Sequence, residues 1–481
     1  MKKALSVLLS LILVFAMCIP SFAAEATDNA IPQDNEDPII VVRGIDFAGL
    51  VREDGSKALS FDAGLVFDLL SIVGTNMMKG VKNPFVSSVI ELAVKVFDPV
   101  SCDKEGNPKY PDVHIPKFTQ PASELDLSGD EWADTAVGLF RSLKNKFGGD
   151  DIYLSTFDWR LSPAQLASEL NDLVENVKAA TGSDKVDIAA CSMGGMITTA
   201  YMDIYGTQSI DNLVYLSPAL NGGDVVGSAF TGDLVINADA LGEFLLAKTN
   251  GFVNFLVRTL NALGFVKSLA RLVNDFISDN KETIYEDFLR ESVGTAYGLW
   301  ALIPDEYFDA AVEFFFNDDK AEYSVALEKI AEIREFVFST EEIVDKAIAD
   351  GVKVSFVSHY NAKQLPIYSN YTMHGDGVLE SKRTSFGGTF AKYGQALSAD
   401  YIASKDAQFI SPDGVADAST CRYPNSTWIV KNAKHVGCKD GSQHTEFAIW
   451  LITRNEQPTV TMNSAYPRFM NCDANENFIA F

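Results

Sequence analysis

The segment 190–195 constrains what this chain can fold into more than any other part of the sequence. It reads Ala-Cys-Ser-Met-Gly-Gly and joins an apolar run at 186–189, typical of a buried strand, to a helical pattern at 194–205. A serine on so tight a strand-to-helix turn has its hydroxyl exposed above a sheet, in a strained backbone conformation. The turn accepts only small residues two positions on either side, where an alanine and Gly194 stand. Ser192 is therefore the candidate nucleophile.

The residues on either side of Ser192 also carry groups that can take part in catalysis. Met193 stands directly before the predicted helix, so its backbone N–H has no partner within the helix and can face a developing oxyanion. Cys191 is an alternative nucleophile, because thiols also form covalent intermediates. A side chain at that position of the turn normally points away from the substrate, which favours the serine.

Short apolar runs alternate with helical patterns on both sides of this turn. The continuous apolar run at 39–42 is typical of a strand buried on both faces of a parallel sheet. Such alternation indicates a mostly parallel sheet flanked by helices, which is an α/β fold. The other predicted strands are 152–155, 212–216, 352–357 and 427–430, and the other predicted helices are 131–147, 163–180 and 444–453.

Two long segments interrupt this alternation. Residues 47–130 are rich in turn formers towards their end and predict an irregular, lid-like insertion. Residues 221–350 have helical periodicity and predict a large helical cap inserted before the last strands. The α/β core then comprises residues 25–220 and 351–481. Apolar side chains of the cap that face the nucleophile would form an acyl-sized pocket, and the cap would make any transient contact with a lipid surface.

The N-terminus has the pattern of a bacterial secretory signal peptide. A Met-Lys-Lys start is followed by an apolar run at 4–16 and by small residues up to position 24, a pattern too short for a membrane span. Cys18 suggests a lipoprotein, but Met17 is a poor residue before a lipid-modified cysteine, so lipid anchoring is not favoured. The sequence therefore predicts a signal peptide at residues 1–24 and a secreted mature protein.

The charge of the chain excludes one class of partner. The formal net charge is -26 at pH 7, and removal of two lysines with the signal peptide makes it more negative. Such a surface repels phosphate backbones, so nucleic-acid binding is not expected. No cysteine spacing resembles a zinc site, and nothing in the sequence indicates a metal or another cofactor.

Five of the six cysteines remain after removal of the signal peptide, since Cys18 leaves with it. An odd number in an exported protein indicates at least one free thiol, and Cys191 is the natural candidate. Cys421 and Cys438 bracket a short segment and are candidates for a disulfide bond.

A serine nucleophile needs a base, and the sequence offers five histidines. In chains with this strand-turn-helix arrangement, the order of functional groups is serine, acid, histidine. His435 lies between the predicted strand at 427–430 and the last helix, where the base is expected. His444, at the start of that helix, is the alternative. The strand position of His359 favours a buried structural role.

Asp376 is the candidate acid. It stands between two glycines, after the strand that ends at residue 357 and before His435. An aspartate between glycines is ordinarily part of a turn. Its place in the chain order nevertheless favours a role in orienting the imidazole and stabilising the imidazolium.

A second oxyanion donor is expected in the loop after the first strand. Gly44 lets the backbone approach the site closely, because it has no side chain. The N–H of Ile45 or of Asp46 would then face the oxyanion together with that of Met193.

Several motifs resemble one branch of a known superfamily. A Phe-Asp-Trp-Arg-Leu-Ser-Pro run contains Asp158, Trp159 and Arg160, and a Gly-Asp-Gly-Val run surrounds Asp376. With Trp-Ala-Leu-Ile-Pro in the predicted cap, they resemble the lecithin:cholesterol acyltransferase-like branch of the α/β-hydrolases. The resemblance loosely covers residues 38–452 and implies an α/β-hydrolase fold with activity on lipid or acyl esters. Asp158 and Arg160 are expected to form a structural ion pair rather than to act in catalysis.

The leading hypothesis is a secreted serine hydrolase that cleaves carboxylic esters of lipids or other acyl groups through Ser192, His435 and Asp376. An O-acyltransferase that passes the acyl group to an alcohol is the alternative, because the two reactions differ only in what attacks the acyl-enzyme. A third hypothesis is a catalytically silent surface or binding protein on a hydrolase scaffold. The charged oxyanion loop, where the family usually has Pro-Gly and apolar residues, leaves room for it. The sequence leaves the ester substrate open.

Overall fold

The apolar runs of the sequence form one large sheet in the structure, a computed structural model that describes residues 37–59, 64–127, 135–248, 258–259, 261–262 and 264–481. The predicted signal peptide, residues 1–24, lies outside the described residues. The strands are β1 (Ile39–Val42), β2 (Ile152–Ser155), β3 (Val186–Cys191), β4 (Ile210–Leu216), β5 (Lys353–Tyr360), β6 (Thr389–Phe390), β7 (Ala416–Asp417), β8 (Thr427–Lys431), β9 (Phe469–Cys472) and β10 (Phe478–Ile479).

Eight of these strands pair in the order β2-β1-β3-β4-β5-β8-β9-β10, and β6 pairs with β7 separately. All neighbours in the large sheet are parallel except β9 and β10. Parallel pairing brings the ends of the strands into register, so that Val42 lies beside Ala190. The residues that follow β1, β3, β5 and β8 therefore meet at one edge of the sheet.

Helices fill the connections between the strands. None of the described helices is both long enough and apolar enough to cross a bilayer. Short helices at Lys281–Thr283 and Glu291–Val293 flank a π-helix at Ile284–Arg290. The other helices are α1 (Gly64–Met78), α2 (Pro84–Phe97), α3 (Thr135–Phe147), α4 (Pro163–Thr181), α5 (Met193–Tyr205), α6 (Asp224–Phe230), α7 (Ala238–Lys248), α8 (Phe265–Asp279), α9 (Tyr297–Trp300), α10 (Asp305–Phe316), α11 (Ser324–Ala349), α12 (Ser381–Thr384), α13 (Ala399–Ala403) and α14 (Gln443–Ile452).

Both faces of the sheet are covered, as the alternation of β1 shows. Ile40 and Val42 pack with α4, α5 and the helices between β4 and β5, whereas Ile39 and Val41 pack with α3 and α14. All four side chains are fully buried. A mostly parallel sheet between two helical layers, with helices α6–α11 inserted between β4 and β5, is the predicted α/β-hydrolase fold, which is thereby confirmed.

The prediction of irregular structure throughout residues 47–130 is wrong for one stretch. Helices α1 and α2 occupy most of residues 64–97. Leu69 of α1 is buried against Val89 and Leu92 of α2, so the two helices share a small apolar core. The apolar residues recur at helical spacing, but turn formers later in the segment obscured that period. The division of the chain into core, insertion and cap stays a prediction.

The end of the chain adds two strands that the sequence did not predict. The predicted order ends with a helix at 444–453, whereas β9 joins the sheet beside β8, and β10 pairs back on β9. Strands of four and two residues carry too few alternating positions to be distinguished from loop sequence.

The predicted disulfide between Cys421 and Cys438 is wrong. Cys102, Cys191, Cys421, Cys438 and Cys472 are all buried free thiols. Cys421 packs in one apolar cluster with Ile429, whereas Cys438 packs in another with Trp428 and Val430. Because successive side chains of a strand point to opposite faces, the two cysteines lie on opposite sides of β8. The sheet therefore separates two residues whose Cα atoms would lie about 4.4–6.8 Å apart in a disulfide.

Candidate active site

Ser192 occupies the predicted turn between β3 and α5. Its φ of 53° and ψ of -122° lie outside the favoured regions for a residue with a side chain, a strain of about 1–3 kcal/mol that must be stabilised by the surroundings. The Ser192 N–H donates to the carbonyl of Leu216, and its own carbonyl accepts from the N–H groups of Gly195 and Ala219. These bonds fix the turn, and its side chain is almost fully buried.

The small residue at position 194 is a steric requirement of the turn. A Cβ on Gly194 would lie 2.5 Å from the Val42 carbonyl oxygen and 2.6 Å from that of Arg43. Helix α5 can therefore begin against the end of β1 only because this residue is glycine.

The structure brings His435 and Asp376 to Ser192 in one hydrogen-bonded series. The Ser192 hydroxyl lies 2.9 Å from His435 Nε2, and His435 Nδ1 lies 2.8 Å from Asp376 Oδ2. His435 is in the loop after β8, and Asp376 is in the loop after β5. Three loops at the same edge of the sheet thus deliver the three predicted side chains.

Asp376 is held from a second side by groups that the sequence did not identify. Its Oδ1 accepts hydrogen bonds from the N–H of Val378 at 2.9 Å and of Leu379 at 2.8 Å. Burial would raise the pKa of Asp376, but the facing His435 and these two N–H groups outweigh it and lower the pKa below its ordinary value. The carboxylate is therefore ionised at neutral pH and able to stabilise an imidazolium. The only sequence signal for these donors was the Gly-Asp-Gly turn.

The oxyanion loop lies against the nucleophile. A Cβ on Gly44 would be 3.0 Å from Ser192 Cβ and 3.5 Å from its Oγ. Within the described part of the chain, the N–H groups of Ile45 and Asp46 donate to no carbonyl or side chain, and Met193 is the first residue of α5. These are the predicted oxyanion donors.

Both oxygens of the Asp46 carboxylate have partners within the loop. Its Oδ2 lies 2.8 Å from Arg43 Nη1, and its Oδ1 accepts from the Ala48 N–H at 3.0 Å. The ion pair neutralises the charged loop that departs from the family pattern. Asp46 therefore offers its backbone to the site without an unpaired negative charge near an oxyanion.

Asp158 and Arg160 form an ion pair that supports the site. Arg160 is fully buried, and its Nε and Nη2 donate to the Asp158 carboxylate at 2.9 and 2.6 Å. Nη2 also donates to the Val113 carbonyl, and the Arg160 carbonyl accepts from the Tyr297 N–H at 3.0 Å. This geometry ties the loop before α4 to the insertion and to α9, which fits the predicted structural role.

Trp159 and Met193 contact the helices inserted between β4 and β5. The Trp159 ring is buried and lies 5.1 Å from that of Phe47. A Cβ on Gly298 of α9 would lie 2.3 Å from the Trp159 carbonyl oxygen and 2.7 Å from Met193 Cε. Helix α9 therefore packs directly on the residue that follows the nucleophile.

His444, the alternative base, is not placed next to the nucleophile. It is fully buried, and its Nε2 lies 2.8 Å from Nε2 of His359. His359 has the buried position expected from its strand.

One group of carboxylates has the spacing of a cation site among the described residues. One oxygen each of Asp37, Asp187 and Asp211 lies within 4.8 Å of the others. Lys353 already forms an ion pair with Asp211, which reduces the need for a metal. Asp187 is near the start of β3 and Ser192 follows its end, so this group lies roughly 15 Å from the nucleophile.

Comparison with known proteins gives one family match. A family model described as lipase (class 2) matches residues 160–230, which include the Ser192 turn. Among solved structures, the chain is similar to one in the crystal structure of the Tle4-Tli4 complex, with 12% identity, 69% of this chain and 76% of that chain covered, and a TM-score of 0.27. A likeness of that size carries no functional inference. A search of curated protein sequences finds no match.

The fold and the family match together support a lipase- or esterase-like α/β-hydrolase. The family match covers only a short part of the chain, from Arg160 to the end of α6. The match therefore identifies neither the branch of the superfamily nor the reaction.

Proposed function

We propose that this protein is a secreted serine hydrolase that cleaves carboxylic esters of lipids or other acyl groups. The hydrogen-bonded series of Ser192, His435 and Asp376 is the observation that carries the proposal. A serine hydroxyl is a weak nucleophile until an adjacent base takes its proton, and the base in turn needs a third group to orient it. All three groups are present within hydrogen-bonding distance.

The reaction follows from this geometry. His435 Nε2 takes the proton as Ser192 Oγ attacks the acyl carbonyl, and Asp376 stabilises the resulting imidazolium. The N–H of Met193 and that of Ile45 or Asp46 stabilise the oxyanion. His435 then gives its proton to the leaving alcohol. Water attacks the acyl-enzyme with His435 again as base, and the carboxylic acid and free Ser192 result.

The preference for lipid or acyl esters rests on the lipase (class 2) match and on the apolar helices that pack against Met193, the residue after Ser192. The buried Trp300 ring of α9 lies 5.1 Å from Phe230 and 5.8 Å from Phe316, so the helices beside the site have an aromatic core. We propose that other apolar side chains of these helices line an acyl-sized pocket beside Ser192, because apolar walls with a few converging polar groups suit an acyl chain. The lipase (class 2) match supports a lipid ester hydrolase. Assignment to the lecithin:cholesterol acyltransferase-like branch rests on the resemblance of the Asp158–Arg160 run and the Gly-Asp-Gly-Val run alone.

The site of action is proposed to be outside the cell. The basic, apolar and small-residue pattern of residues 1–24 supports export by a signal peptide. Release of the mature protein into the medium, with its N-terminus after position 24 by protein sequencing, is the expected result.

Hydrolysis of p-nitrophenyl esters, from butyrate to palmitate, tests the proposed activity. Turnover that rises with acyl chain length and falls about 10⁴-fold or more in Ser192→Ala is expected, because loss of the nucleophile leaves only the binding and oxyanion groups. Cys191→Ala is the matched control and should retain turnover. Equal rates for the wild type and Ser192→Ala would contradict the proposal.

Acyl transfer is measured in the same assay. Water and an added alcohol compete for the acyl-enzyme, so a long-chain alcohol or a lyso-lipid either leaves the yield of free acid unchanged or diverts it to ester. Free acid alone supports a hydrolase. Ester as the main product would make the protein an O-acyltransferase.

A further inference from the structure

Two buried histidines that the proposed reaction does not use lie beneath the loop that carries His435. His359 of β5 and His444 of α14 are fully buried, and their Nε2 atoms are 2.8 Å apart. A Cβ on Gly437 would lie 2.8 Å from His444 Cε1 and 3.2 Å from His359 Cε1. The backbone of the loop therefore rests directly on the histidine pair.

The same loop has a strained backbone. Val436, Gly437 and Cys438 have φ values of 64°, 63° and 63°. A β-branched residue such as valine is rarely found in this left-handed region. Strain of this kind persists only where the surroundings over-determine the conformation, and it concentrates at functional sites. The surroundings of this loop must therefore supply specific bonds.

Such bonds are made to both residues that flank His435. The Lys434 carbonyl accepts a hydrogen bond from His359 Nδ1 at 2.8 Å, and the Val436 N–H donates to Ser217 Oγ at 3.2 Å. Ser217 Oγ lies 3.0 Å from His359 Nδ1, so the two anchors contact each other. The backbone on each side of His435 is thus fixed to one connected group.

The protons of the pair can be assigned from these contacts. The Cys438 N–H can only donate, so His444 Nδ1 accepts from it at 3.3 Å and the His444 proton is on Nε2. That proton is donated to His359 Nε2, which leaves the His359 proton on Nδ1, directed at the Lys434 carbonyl. Burial lowers the pKa of His359 to about 4 and that of His444 well below its ordinary value, which fits two neutral rings.

We propose that His359, His444 and Ser217 are positioning residues that set the orientation of the His435 ring, an inference that rests on the proposed function. They act through the backbone of the loop rather than on the substrate. A misplaced base weakens proton transfer in the transition state and leaves substrate binding intact. Loss of the network should therefore lower kcat and leave KM unchanged.

The test compares two substitutions of the same shape. His359→Leu and His359→Asn both remove the ring, but only asparagine can still donate to the Lys434 carbonyl from the place of Nδ1. With p-nitrophenyl esters, His359→Leu should lower kcat about 10- to 100-fold at constant KM, and His359→Asn should restore most of the loss. A wild-type kcat in the leucine variant, or an equal loss in both variants, would overturn the proposal.

Two further variants separate positioning from folding. Ser217→Ala removes the acceptor of the Val436 N–H, so it should lower kcat at constant KM even if His359→Leu fails to fold, and an unchanged kcat would overturn the proposal. Ser358→Ala is the matched control, because the buried Ser358 hydroxyl bonds Thr384 on the other face of β5. Its kcat should stay at the wild-type value. Equal rates for the wild type and Ser192→Ala would overturn the proposed function and this inference with it.

Discussion

Asp376 and Asp187 are both buried aspartates of the same sheet, but their surroundings are opposite. Asp376 follows β5 at the edge where Ser192 lies, and it faces His435 and two backbone N–H groups. Asp187 lies near the start of β3, at the other edge. One of its oxygens accepts from both the N–H and the Nδ2 of Asn212, each at 3.0 Å.

The pKa values of the two carboxyl groups are therefore shifted in opposite directions. Burial raises the pKa of Asp187 well above its ordinary value, the nearby Asp211 and Asp37 add to the rise, and the bonds from Asn212 do not offset it. The pKa of Asp376 is lowered in spite of complete burial, because His435 can become a cation beside it. Burial alone does not create a functional carboxylate; a partner that can carry positive charge does.

The largest expected difference between the two aspartates is in activity. Asp376→Asn should lower kcat by about 10³- to 10⁴-fold, because an amide neither fixes the imidazole tautomer nor stabilises the imidazolium. Asp187→Asn keeps an acceptor for Asn212 and should leave kcat at the wild-type value. Steady-state kinetics of both purified variants measure this difference in kcat. Similar losses in the two variants would show that this contrast has no functional meaning.

A smaller loss of activity is expected from a change in the backbone at the edge that carries Asp376. Gly44→Ala places a Cβ 3.0 Å from that of Ser192, which is tighter than ordinary contact. Either the loop or the nucleophile must shift, so kcat/KM should fall about 10- to 100-fold. Gly74→Ala in α1 meets no atom within 4 Å and serves as the control; it should keep full activity and gain about 0.5–1 kcal/mol of stability. Full activity in Gly44→Ala would show that the loop after β1 does not supply the second oxyanion donor.

The smallest expected effect is on the pH dependence of stability. A carboxyl group whose pKa is raised in the folded state contributes stability below its unfolded pKa and loses it as pH rises towards the folded value. Asp187 belongs to this class, so Asp187→Asn should gain stability over the wild type as pH rises from about 4 towards neutrality. Urea unfolding across that range measures the difference. A difference that shrinks with rising pH would show that Asp187 is ionised and stabilised in the fold.

Much of the site could be predicted from the sequence, because its signals are local. The Ser192 turn needs a small residue, a strand and a helix in immediate succession, and these are visible in a few consecutive residues. Parallel strands then bring the following loops to one edge, so chain order alone placed Asp376 and His435 near it. The structure brings all three side chains together, whereas their roles in catalysis stay predictions.

What could not be predicted depends on contacts between distant residues. The N–H groups of Val378 and Leu379 that hold Asp376 belong to a turn whose direction no sequence pattern specifies. The bonds that Ser217 and His359 make to the residues beside His435 join positions far apart in the chain. Cys421 and Cys438 do not pair because they lie on opposite faces of β8, an arrangement that their spacing in the sequence does not reveal.

Labelling with a fluorophosphonate tests the central claim most directly, because this reagent reacts with a serine only where a base has activated it. Intact-mass analysis of the folded wild type should show one adduct, and peptide mapping should place it on Ser192. The Ser192→Ala and His435→Ala variants should remain unlabelled under the same conditions, while Cys191→Ala should be labelled like the wild type. A folded wild type that takes up no label, or a Ser192→Ala variant that is labelled equally, would contradict the account.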